Sequence, residues 1–130
     1  MFNGSVINDS PTLCAAAGAE IKGGPFTAVA YSGGALVQCT DALVPVGITI
    51  AETDADVVSG DDVHFQIKDI GMWKSGAAFA AGTALSCDAN GCAITAAAGK
   101  YVLGYALEES TVAGQYVKVQ ITKSGYAPAA

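Results

Sequence analysis

The chain contains no arginine. Its basic side chains are six lysines (Lys22, Lys68, Lys74, Lys100, Lys118 and Lys123) against twelve carboxylates, a net charge of −6. Without guanidinium groups the bidentate grip on phosphate is missing, and the negative field repels nucleic acid and anionic lipid. No nucleic-acid partner is expected. Long apolar runs are missing too: the longest charge-free stretch, 23–40, holds four glycines and Pro25, so no segment reads as a membrane span although the mean hydropathy is positive. No membrane partner is expected. The N-terminus has neither a basic nor an apolar signal region and carries Asp9, so export through a Sec signal is not expected. Pro11-Thr12-Leu13-Cys14 is a poor lipobox without those regions, and the sequons at Asn3 and Asn8 read as incidental.

Histidine is nearly absent as well. His64 is the single general-base candidate, and no Gly-x-Ser-x-Gly elbow accompanies it, so nucleophilic catalysis has little to stand on. It reads as a surface residue on a polar strand face, and no enzymatic activity is expected. Gly23-Gly24 and Gly33-Gly34 follow neither phosphate-loop nor dinucleotide spacing, and no cofactor is implied. Five carboxylates crowd into eleven positions (Glu52, Asp54, Asp56, Asp61, Asp62), but the pattern of a calcium loop is missing and a solvated hairpin loop is the reading.

Four cysteines are present. Their spacing lacks the paired short knuckles of a zinc site, so no metal is expected. Cys87 and Cys92 bracket Asp88-Ala89-Asn90-Gly91, whose Asn-Gly is a tight-turn signal; a Cys87–Cys92 disulfide across a hairpin is geometrically possible. The other reading is four reduced thiols in small buried or half-buried positions.

What the chain does have is small residues and a repeat. Alanine (25) and glycine (16) make up 41 of 130 residues, and Leu, Ile, Val and Phe add 30, enough for one globular domain. Pro45-Val46-Gly47-Ile48-Thr49-Ile50-Ala51-Glu52 lies over Val102-Leu103-Gly104-Tyr105-Ala106-Leu107-Glu108-Glu109, and Gly60-x-x-Val63-His64-Phe65-Gln66-Ile67 over Gly114-x-x-Val117-Lys118-Val119-Gln120-Ile121. This pseudo-symmetry explains the recurrence of Glu52 at Glu109 as well as paired acid–base carboxylates would. Within each copy apolar residues alternate with polar ones at period two, the mark of a strand with one dry face. Gly47 and Gly104 mark a bulge or sharp bend.

These patterns predict an all-β fold, a small antiparallel barrel or sandwich of about eight short strands with an internal pseudo-repeat (27–67 and 83–121, joined by a link at 68–82). An irregular arm, 1–25, precedes the β domain 26–130, because Gly4, Pro11, Gly18, Gly23, Gly24 and Pro25 break regular structure. Contacts with a partner are expected from Phe2, Val6, Ile7 and Leu13 on the arm, from Glu52, Asp54 and Asp56 in the acid loop, and from Met72 and Trp73 in the link, where Trp73 reads equally well as a cap on the core.

The mid-chain Gly60-Asp61-Asp62-Val63 strand, the Val102-Leu103-Gly104-Tyr105-Ala106-Leu107-Glu108-Glu109 strand, and the last Val117-Lys118-Val119-Gln120-Ile121 strand resemble the tailed-bacteriophage capsid cement, or head decoration, family. The resemblance covers residues 26 to 122. It implies a virion protein made in the host cytoplasm that binds the outside of the assembled shell, with the major capsid protein and further copies of itself, as a homotrimer, for partners. The competing reading is a non-catalytic surface module such as a carbohydrate-binding domain. That reading calls for exposed aromatic pairs, whereas most aromatics here fall at alternating, core-like positions.

Overall fold

A computed structural model describes residues 12–51, 53 and 56–128. They form ten strands and no helix: β1 (Thr12–Ala16), β2 (Ala28–Ser32), β3 (Ala35–Gln38), β4 (Gly47–Thr49), β5 (Asp62–Gln66), β6 (Asp69–Lys74), β7 (Ala84–Cys87), β8 (Ala93–Thr95), β9 (Tyr101–Ala106) and β10 (Tyr116–Tyr126). Two five-stranded antiparallel sheets result, ordered β1-β5-β4-β2-β3 and β6-β10-β9-β7-β8. They pack together like a sandwich and do not close into a barrel. Strand by strand the two orders are the same, so each sheet is one copy of the repeat.

The repeat therefore starts one strand earlier in each copy than the sequence similarity indicates. β1 lies inside the expected arm and β6 inside the expected link, and each is the outer strand of its own sheet, laid against β5 or β10. Thr12–Ala16 of the expected arm and Asp69–Lys74 of the expected link are thus regular strands. Their local signals were too weak to show this: Thr12-Leu13-Cys14-Ala15-Ala16 has no period-two alternation, and its partner strand is some fifty residues distant in sequence. The equivalence reaches isolated bridges. Ala17 pairs with Leu36 as Ser75 does with Ala93, and Ile21 pairs with Val57 as Phe79 does with Ser110.

Each sheet buries the same face. Ala17, Ile21, Val29, Leu36, Val57, Val63 and Phe65 form one cluster. Their counterparts in the second copy are Ser75, Phe79, Leu85, Ala93, Ser110, Val117 and Val119, and the five apolar ones join a second, larger cluster. Where the first copy has Ala17 and Val57, the second has two buried hydroxyls. Ser75 and Ser110 lie 2.8 Å apart and both reach the Val112 carbonyl, so neither is left unpaired. Ala28, Ala30, Cys39 and Ile48 of the first sheet enter the larger cluster, which joins the two copies into one core.

Gly91 is the hub of that junction. Its carbonyl accepts the Ala28 backbone N–H at 2.8 Å and the Trp73 indole N–H at 2.9 Å. Its own φ of 80° is the left-handed region that the Asn90-Gly91 turn requires. Phe26 adds a second tie. Its carbonyl accepts the Lys74 N–H at 2.8 Å, and its ring packs edge-on to Tyr116 with centroids 5.3 Å apart. Its φ of 62° is the conformation that Gly82 supplies in the second copy, so the contact is held against backbone strain.

Among the described residues, one buried side-chain polar atom lacks a partner: Ser86 Oγ, on β7, where the first copy has Ala30. A buried hydroxyl without a hydrogen bond costs about 1–3 kcal/mol. Ser86→Ala is expected to raise the unfolding free energy by about 1 kcal/mol, read as a higher melting temperature. An unchanged or lower one would show that the hydroxyl is satisfied.

Candidate interaction surface

The residues expected to make contacts divide sharply. Phe2, Val6, Ile7, Glu52 and Asp54 lie outside the described residues. Leu13 stands on β1 with 45% of its surface exposed, and Asp56 is exposed beside Val57. Met72 is half-buried. Trp73 is fully buried in the core: like Gly71 it points inward, opposite Val117 of β10. Its indole is spent on Gly91. Asp61 closes the acid loop locally by accepting the Val58 N–H at 3.2 Å.

The possible Cys87–Cys92 disulfide is not formed, and all four cysteines are free. The hairpin register explains why. Cys87 pairs with Ala93, and Asp88 donates its N–H to the Cys92 carbonyl at 2.8 Å, so Cys92 stands across from Asp88. Adjacent positions on a strand face opposite ways, so the two thiols project to opposite sides. Cys87 instead donates its S–H to the Asp88 carbonyl at 3.2 Å and lies in one core cluster with Cys39, and the neighbouring Cys39 thiol together with burial pushes its pKa far above the ordinary thiol value. Burial and the Asp88 carboxylate also raise the Cys92 pKa, against a smaller opposing pull from Lys74. Both remain protonated, poor nucleophiles.

Sequence reasoning missed the outward face of β6, β10 and β9. On β6, Ile70, Met72 and Lys74 alternate with the buried Gly71 and Trp73; on β10, Tyr116, Lys118 and Gln120 alternate with Val117, Val119 and Ile121. Register sets Ile70, Gln120 and Tyr105 in one row. Met72, Lys118 and Leu107 form the next, the Leu107 N–H donating to the Lys118 carbonyl at 2.9 Å. Ile70 (40%), Tyr105 (38%), Leu107 (44%) and Tyr116 (48%) are all exposed. The first sheet carries Thr12, Cys14, Asp62 and His64 where the second has Ile70, Met72, Tyr116 and Lys118. Comparing the two copies position by position would have revealed the apolar swap, had β1 and β6 been recognised as equivalent.

Beside this face an open groove of about 490 Å³ is lined by Glu108, Glu109, Gly114, Gln115, Tyr116 and Val117. Glu108 Oε1 accepts the Lys118 N–H at 2.8 Å, so that carboxylate serves the end of the sheet. His64 is exposed opposite Cys14. Among the described residues no group of three His, Cys, Asp or Glu side chains is placed to hold a metal ion. What this surface offers is sheet faces and edges for protein contact.

The family model described as phage cement protein matches residues 8–121. The chain belongs to the phage cement protein family. Among solved structures it is similar to the head fiber N base of bacteriophage phi29, with a TM-score of 0.67 and 23% sequence identity over 88% of this chain and 96% of that one. That likeness bears on the fold: both chains share the arrangement over nearly their full lengths. No curated protein matches the chain in sequence. The cement-family match begins at residue 8, four positions before β1, and ends at Ile121, and so takes in both sheets up to the first half of β10.

Proposed function

We propose that this cement protein binds the outer surface of an assembled phage head and stabilises it. Its partners in this reading are the major capsid protein and two further copies of itself in a homotrimer, after synthesis in the host cytoplasm. The observation that carries the reading is the family match across both sheets. The architecture agrees with it. A pair of packed sheets, acidic and free of arginine, suits a protein that binds a protein lattice and stays off the nucleic acid inside.

The mechanism is mass action. A protein that binds the closed lattice and not its dissociated subunits stabilises each occupied site by RT ln(1 + [L]/Kd), about 2.7 kcal/mol at a free concentration of 100 Kd. No chemistry is required of it. The segment ahead of β1, with Phe2, Val6 and Ile7, is the proposed anchor to the shell.

Purified protein added to empty expanded shells of its major capsid protein is expected to bind saturably and to raise their melting temperature. A variant lacking residues 1–11 retains both sheets and is expected to bind at least about tenfold more weakly. Shells that gain neither mass nor heat resistance would overturn the cement reading, and a truncated protein that decorates at full affinity would remove the anchor role.

A further inference from the structure

The charge of this chain is divided unevenly between its two halves. Residues 1–67 hold one lysine and eight carboxylates, a net of −7; residues 68–130 hold five lysines and four carboxylates, a net of +1, which together make the −6 of the whole. The apolar outward face of β6, β10 and β9 lies on the lysine-rich half and carries Lys118 in its middle row and Lys74 at its edge, opposite Tyr116. On the other half Asp56, Asp61 and Asp62 are exposed around Val58, itself 54% exposed. Within the chain, Ile48 shows that this kind of face is a packing face. It occupies in the first sheet the place of Tyr105 in the second, and it is buried at the junction between the sheets, whereas Tyr105 is open.

We infer that the chain self-associates head to tail, the apolar and lysine-bearing face of the second sheet docking on the acidic surface of the first sheet of another copy. This deepens the homotrimer reading and rests on it. The two surfaces differ, so the contact is heterologous, and repeating it closes a ring when the rotation between copies allows. Ile70, Tyr105 and Leu107 supply the desolvated centre, and the lysine–carboxylate pairs at the rim set orientation and suppress the face-to-face alternative, in which like charges meet. In a pair of sheets built from one repeat, the replacement of Thr12 and Cys14 by Ile70 and Met72 is otherwise a cost in solubility with no return in core packing.

Sedimentation velocity of the full chain, without capsid, tests the inference. The wild type is expected to be a closed oligomer at micromolar concentration. Leu107→Glu, at an exposed site, is expected to give monomer with an unchanged melting profile of the monomeric fold. Lys74→Glu with Lys118→Glu is expected to raise the self-dissociation constant by at least about tenfold, and adding Asp56→Lys with Asp62→Lys to restore it. An oligomer indifferent to all of these would overturn the assignment of faces and leave the homotrimer standing. A wild type that stays monomeric at every concentration would overturn self-association altogether, and the separate shell-binding measurement would still decide the cement reading.

Discussion

Trp73→Ala is expected to destabilise the protein by about 3–5 kcal/mol, the range for removing a large buried aromatic side chain. Trp73 is the largest fully buried side chain, and it stands where the two copies of the repeat share a core. Its loss opens a cavity at that junction and removes one of the two hydrogen bonds that hold the Gly91 carbonyl. Since domains of this size are stable by only about 5–15 kcal/mol, the variant is expected to unfold at a much lower denaturant midpoint. Trp73→Phe separates the two contributions. It keeps most of the ring and loses the N–H, and because Ala28 still donates to Gly91 the expected cost is about 1 kcal/mol. A loss below about 1 kcal/mol for the alanine variant would mean that the sheets do not depend on this junction.

Gly104→Ala is the second large effect, expected at about 4 kcal/mol or more, or as failure to accumulate folded protein. Its cause is overlap. A Cβ on Gly104 would fall on the carbonyl oxygen of Gln120 in the β9–β10 ladder and within 3.0 Å of that residue's carbonyl carbon. These are backbone atoms, so no rotamer change relieves the clash; the two strands must separate. Gly47 meets Gln66 in the same way in the first sheet, and Gly47→Ala is expected to behave alike. Gly114→Ala is the control. At φ 91° it is strained, but its Cβ meets nothing within 4 Å, so the expected cost is only about 1–2 kcal/mol. Equal denaturant midpoints for Gly104→Ala and Gly114→Ala would refute the overlap argument.

The paired glycines also show how far the sequence could be read. Their shared offset within the repeat was visible, and so was the alternation of Val63, Phe65 and Ile67 with its echo in Val117, Val119 and Ile121. Both come from rules that act within a strand or between neighbouring turns. Beyond that range the sequence leaves alternatives open. Trp73 reads as a surface anchor or a core cap, because the strand that carries it is defined by its pairing with β10, some forty residues later. Cys87 and Cys92 read as hairpin partners or as separate reduced thiols, because only the register, a matter of one residue, decides whether two side chains share a face.

By itself, then, the sequence determined an all-β, twice-repeated, acidic chain without arginine. The tertiary structure decided that each repeat opens with a strand that local composition hides, and that the cysteines meet across the sheets as Cys39 and Cys87. It also decided that the second sheet, and not the first, presents an apolar face. Period-two alternation labels the two sides of a strand, but which side is covered depends on the other sheet, and that partner is brought there only by folding.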